Sequence, residues 1–133
     1  MSTYDEISVT KSISPLVRTD GTVNGTSVDT VVSGGMQDAV LLVTSGAVTD
    51  GSHAVTVEES ADGSTGWAAV AADRLQGDLP TVESADDDTV FMTGVRPSQR
   101  YLRAVMVTTG ATTGAAISAA FILGRPRTKP VSH

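Results

Sequence analysis

Residues 89–124 constrain the fold more than any other stretch. They hold three apolar runs, TVFMTGV (89–95), YLRAVMVTT (101–109) and AAISAAFILG (115–124), parted by RPSQR and GATTG. A Pro-bearing break and a Gly-bounded break within so few residues leave little more than two helical turns to any run, close to the marginal length for a helix. The side chains alternate instead. In 115–123, Ile117, Ala119, Phe121 and Leu123 share one parity and Ser118 and Ala120 the other, as on a pleated ribbon. In 101–109 both parities are apolar, which predicts a strand covered on both sides. Gly110-Ala-Thr-Thr-Gly114 predicts a hairpin loop that pairs the second and third runs.

Similar punctuation runs through the rest of the chain. Asn24-Gly25, Ser33-Gly34-Gly35, Asp50-Gly51 and Asp62-Gly63 are turn signals. Between them lie DAVLLVT (38–44), which predicts a central strand, and 53–59, with Val55 and Val57 inward and Thr56 and Glu58 outward. Val55–Val70 predicts a hairpin with Trp67 as an anchor of the core. The expectation is an all-β domain, a single antiparallel β-sandwich or jelly-roll-like barrel of about seven to nine short strands. Residues 1–21 form an N-terminal arm or edge strand, 22–124 the sandwich, and 125–133 a basic, Pro-containing tail.

Composition narrows the function classes. The 133 residues suit one domain and include no cysteine, which excludes disulfides, thiolate metal sites and a cysteine nucleophile. No apolar run reaches membrane-spanning length, and the N-terminus has no apolar signal core. Charge is polarised along the chain. Residues 1–18 balance, 19–95 carry thirteen acids against Arg74, and 96–133 carry six bases and no acid. Such polarity lets neighbouring copies attract one another.

Candidate sites are few. Asp86-Asp87-Asp88 lacks the alternating acids of a calcium loop and reads as a solvated turn. His53 and His133 are the only histidines, and no GxSxG frames a nucleophile for either. Glu58 and Glu59 point to opposite faces of a strand and make no acid/base couple. Arg125, Arg127 and Lys129 sit in an otherwise acidic chain without interleaved aromatics, which argues against nucleic acid. No catalytic residue, metal site or cofactor is expected, nor a membrane partner.

Three stretches, VVSGGMQDAVLLVTSGAVTDGSHAVTVEES (31–60), VTVEESADGSTGWAAVAADRLQG (55–77) and RYLRAVMVTTGATTGAAISAAFILGRPR (100–127), resemble small virion proteins of tailed bacteriophages and prophages. The resemblance implies a β-sandwich capsid decoration or minor capsid protein, made in the bacterial cytoplasm and seated on the outside of the phage head. It implies the major capsid protein and copies of the chain itself, in a homo-oligomer such as a homotrimer, as partners. Contact residues are then expected at Ile7, Val9, Leu16 and Val17 in the N-terminal segment and at Arg125, Arg127 and Lys129 in the tail. EESADGSTGW also resembles the hairpin of discoidin-like jelly-roll lectins, which implies a carbohydrate module using Trp67. A tail or baseplate component with the same sandwich is a third reading.

Overall fold

A computed structural model describes residues 2–31 and 35–131. The Ser33-Gly34 break and His133 lie outside the described residues. Eleven strands are present among those described: β1 (Ser8–Arg18), β2 (Gly21–Asn24), β3 (Val28–Asp29), β4 (Met36–Val48), β5 (Ser52–Ser60), β6 (Ala68–Ala69), β7 (Leu75–Gln76), β8 (Thr81–Val82), β9 (Val90–Val95), β10 (Tyr101–Thr109) and β11 (Ala115–Pro126). Four of these are only two residues long, so the seven longer ones carry the architecture. They form two antiparallel sheets packed as a β-sandwich. Sheet A has the order β1-β11-β4-β9-β7. Sheet B has the order β2-β10-β5-β6, with β3 also on β10 and β8 also on β5.

The core is the space between the two inner faces. Sheet A contributes Ile13, Leu41, Val43, Val95, Ile117, Phe121 and Leu123; sheet B contributes Val28, Val55, Val57, Leu102, Ala104 and Met106. With one buried phenylalanine, these aliphatic side chains supply most of the apolar area removed from water, roughly 25 cal/mol per Å². DAVLLVT is indeed central, flanked by β11 and β9, and the 55–70 hairpin forms as β5 against β6.

Several local expectations differ from the structure. GATTG is not a hairpin. It carries the chain from β10 in sheet B to β11 in sheet A. Asp50 fixes this crossing by accepting hydrogen bonds from the backbone N–H groups of Thr112 (3.1 Å), Thr113 (3.3 Å) and Gly114 (2.6 Å). Gly114 is required twice over. Its φ is +89°, and a Cβ there would lie 2.0 Å from the Arg18 carbonyl oxygen. Asn24-Gly25 is not a hairpin either. The strands on either side of it, β2 and β3, both pair with β10. Gly25 is a point of close approach, where a Cβ would meet Ser12 Oγ at 2.3 Å and the Ala104 carbonyl oxygen at 2.6 Å.

Residues 8–18 and 125–131 are tied down. β1 carries bulges on either side of Ile13, and these turn the adjacent Ser12 and Ile13 inward together. Ile13 enters the core. Ser12 Oγ donates to the Thr26 carbonyl (2.9 Å) and accepts from Ala104 N–H (3.0 Å), bridging the two sheets. The last residues form a basic, Pro-containing stretch. Arg125 and Pro126 end β11, Lys129 pairs with Glu6, and Val131 is buried and donates its N–H to the Asp5 carbonyl (2.9 Å).

Candidate docking surface

A strand in a sandwich buries one parity and exposes the other. On sheet A the exposed parity is apolar. The register aligns Val9, Ile122, Val40 and Gly94 in one row across β1, β11, β4 and β9. The next row holds Lys11, Ala120, Leu42 and Met92, and the one after it Ser118, Thr44 and Val90. Met92, Val90 and Val9 are 68%, 60% and 58% exposed. Among the described strand residues that point to this face, the charged ones are Lys11 and Asp38, at its rim. Gly94 and Gly124 lack side chains, and there the face dips into a hollow of about 200 Å³ walled by Ile7, Val40 and Ile122. A contiguous exposed apolar surface of this kind marks an interaction site.

The outer face of sheet B is mixed: Val107 is exposed on it, and its charges are internally paired. Arg103 on β10 lies opposite Glu58 on β5 and donates to its carboxylate at 2.6 and 2.9 Å. The same guanidinium stacks 4.4 Å from the centre of the Trp67 ring. Trp67 is therefore half-buried on the surface and not in the core. β6 is only two residues long, so the indole packs on the outside of sheet B, where Arg103 covers one of its faces.

Two buried polar groups on β5 face inward with Val55 and Val57. His53 is fully buried. Its Nε2 donates to the Asp50 carbonyl (3.1 Å), and its Nδ1 lies 2.9 Å from Thr108 Oγ1. Both ring nitrogens are thus engaged, which makes it a structural histidine. Glu59, at the other end of β5, receives Arg74 and, from the β9–β10 link, Ser98 N–H (2.9 Å), Ser98 Oγ (3.0 Å) and Gln99 N–H (3.2 Å). Burial pushes its carboxyl up, but the bonds from Arg74 and Ser98 outweigh burial and hold it below the usual range.

The aspartates at 86–88 form a turn. Asp86 accepts from Glu83 N–H and Asp87 from Val48 N–H. Among the described residues no three His, Cys, Asp or Glu side chains are grouped to hold a metal ion, and no helix is long and apolar enough to cross a membrane.

The structure divides the seven expected contact residues. Ile7 and Val9 join the outer face of sheet A. Leu16 and Val17 are exposed farther along β1. Arg125 and Arg127 line a different feature, a cleft of about 630 Å³ that also includes Arg96 and Arg100. Lys129 is held by Glu6. Val40, Leu42, Val90, Met92 and Ile122 were not anticipated. The signal at 40 and 42 was the continuous apolar run 38–44, which predicts a central strand but not that its outer parity is left half-exposed.

No family model matches the chain, nor does any curated protein. Among solved structures it is similar to a chain of "Structure of infectious bursal disease virus Gx strain", with 15% identity, a TM-score of 0.46, and coverage of 94% of this chain and 34% of that one. It is also similar to PirA, with 15% identity, a TM-score of 0.40, and coverage of 91% and 94%. The chain spans about a third of the length of the first of these.

Proposed function

We propose that this chain is a non-enzymatic structural protein of a phage virion, a decoration protein that attaches to the outside of the major capsid lattice by the outer face of sheet A. The contiguous apolar face of Val9, Val40, Leu42, Val90, Met92 and Ile122 carries the reading. A sheet face that is nearly uncharged, on a chain of net charge −6, is suited to burial against another protein. The virion assignment follows from the sequence resemblance in 31–127. β1 is the edge strand beside that face, with Leu16 and Val17 exposed on it.

Imaging of purified virions that contain the chain tests the location, and co-sedimentation with empty shells tests the face. Wild-type protein should pellet with shells and appear as density on the head. The Leu42→Glu/Met92→Glu variant should remain in the supernatant with its melting temperature unchanged. Density on the tail instead would establish the tail or baseplate reading. Retention on a glycan array that Trp67→Ala abolishes would establish the lectin reading. Shell binding undiminished in the double variant would remove sheet A as the docking face.

A further inference from the structure

One end of the sandwich concentrates positive charge. The cleft there is walled by the start of β4, the β9–β10 link and the end of β11, which bring together Arg96, Arg100, Arg125 and Arg127. These are four of the nine basic residues of the chain. Two are matched internally. Arg100 forms a forked pair with Asp29 at 2.8 and 2.9 Å, and Arg125 donates to Asp38 at 3.1 Å. Arg96 and Arg127 are exposed and have no carboxylate partner among the described residues. The cleft thus holds two guanidinium groups in excess. Arg100 already shows the forked geometry by which guanidinium recognises a carboxylate.

The opposite end of the same strands carries the complementary charge. β4 and β9 run from the cleft to the Glu83–Asp88 link, where the Ser45 and Val48 end of β4 meets Asp86 and Asp87. Glu83, Asp87 and Asp88 are exposed, and no ion pair involves them among the described residues. Asp20 and Asp50 lie at this end too, beside the 110–114 crossing. The sandwich therefore has a basic end and an acidic end, separated by the length of β4.

We propose that the arginine cleft receives the Glu83–Asp88 loop of a second copy of this chain, in a head-to-tail contact. The inference concerns the free protein and does not depend on where it docks in a virion. Charge complementarity within one sequence selects the occupant. A phosphate chain suits the cleft less well, because the body is acidic overall and no aromatic side chain lines the cleft as a base-stacking platform. A contact between different ends of identical copies is heterologous, so it closes into a ring or extends into a filament according to the rotation between neighbours.

Sedimentation velocity on the full chain tests it. Wild-type protein should show mass rising with concentration at low salt and falling towards the monomer at about 0.5 M salt, where charges are screened beyond roughly 4 Å. Arg96→Glu/Arg127→Glu should weaken self-association by at least about tenfold, and Glu83→Lys/Asp88→Lys should do the same. Neither alone can pair with itself, but mixed in equal amounts the two variants should associate again. The mixture restores the native contact between one intact cleft and one intact loop and adds the swapped contact. Asp88 has φ +49°, so if the lysine variant fails to fold, Glu83→Gln/Asp88→Asn replaces it and should weaken association without recovery of the swapped contact. A monomer at every concentration and salt would overturn the proposal, as would variants that associate like wild type or a mixture that fails to recover. Arg96- and Arg127-dependent retention on an oligonucleotide column, without self-association, would overturn it in favour of a phosphate site.

Discussion

The outer faces of sheets A and B are built with the same antiparallel pairing, yet they present different chemistry to solvent. Sheet B satisfies itself. Arg103 spans Glu58 and Trp67, so its charges and its indole are matched within the molecule. Sheet A leaves Val9, Val90 and Met92 to water, with Leu42 half-exposed between them. Both sheets bury an inner parity in the shared core, so folding the isolated chain does not account for the difference. It follows that the stability of the monomer and the surface that recognises a partner are carried by alternate residues of the same strands.

Neighbouring residues on β11 give the sharpest contrast and the largest expected effect. Phe121 is fully buried, and Phe121→Ala should cost about 3–5 kcal/mol by leaving a cavity. Ile122, the next residue, faces out, and Ile122→Ala should cost about 1 kcal/mol or less. Urea unfolding of both variants checks this, and equal losses would end the division between inner and outer parity. For docking, Leu42→Glu/Met92→Glu should reduce shell binding by about 100-fold. Matched glutamates on sheet B at Thr56 and Val107 should change it little, as quantitative pelleting will show.

Glu59 probes the end of sheet B. Glu59→Gln removes the charge that Arg74, Ser98 and Gln99 converge on, and should cost about 2–3 kcal/mol, discounted because Arg74 is a quarter exposed. Arg103→Ala, which frees Glu58 and one face of Trp67, should cost about 1 kcal/mol and shift the tryptophan emission to the red. The smallest effect belongs to acid. Backbone N–H groups of Gly114 and Thr112 hold the Asp50 carboxyl at about 2 against an ordinary 3.8. Because that value is depressed by folding, the stabilisation is complete above the ordinary value and is lost as pH falls through about 2. Asp50→Asn should remove this acid-dependent component, seen as a flatter stability profile over that window.

Much of the fold was legible because local chemistry and tertiary placement agree. The alternation in 115–123, the unbroken DAVLLVT strand and the Asp62-Gly63 turn each specify one conformation. The crossing at 110–114 was misread because glycines at its ends satisfy a hairpin and a sheet-to-sheet link equally, and only the distant Asp50 and Arg18 distinguish the two. Gly25 was misread for a related reason: Asn-Gly signals a tight turn, whereas here Ser12 and Ala104 press on the backbone. The candidate face was half visible. Val9 was in view, but an apolar outer parity at 40, 42 and 122 looks the same in sequence whether a neighbour covers it or not. The arginine cleft was visible only as a basic C-terminal third, since the topology is what gathers Arg96, Arg100, Arg125 and Arg127.

The place of β11 in sheet A has a consequence for biosynthesis. It lies between β1 and β4 and, among the described residues, is the only strand that pairs with β1 in a ladder. The first long strand to leave the ribosome therefore waits for the last. At about 5–20 residues per second, the 97 residues from Arg18 to Ala115 take roughly 5–20 s to make. During that time β1 has no ladder partner and the apolar β4 presents an open edge, the condition that invites chain-to-chain pairing. Nascent chains that stop short of residue 115 should be insoluble, and chains extended through residue 126 should become protease-resistant in a single step.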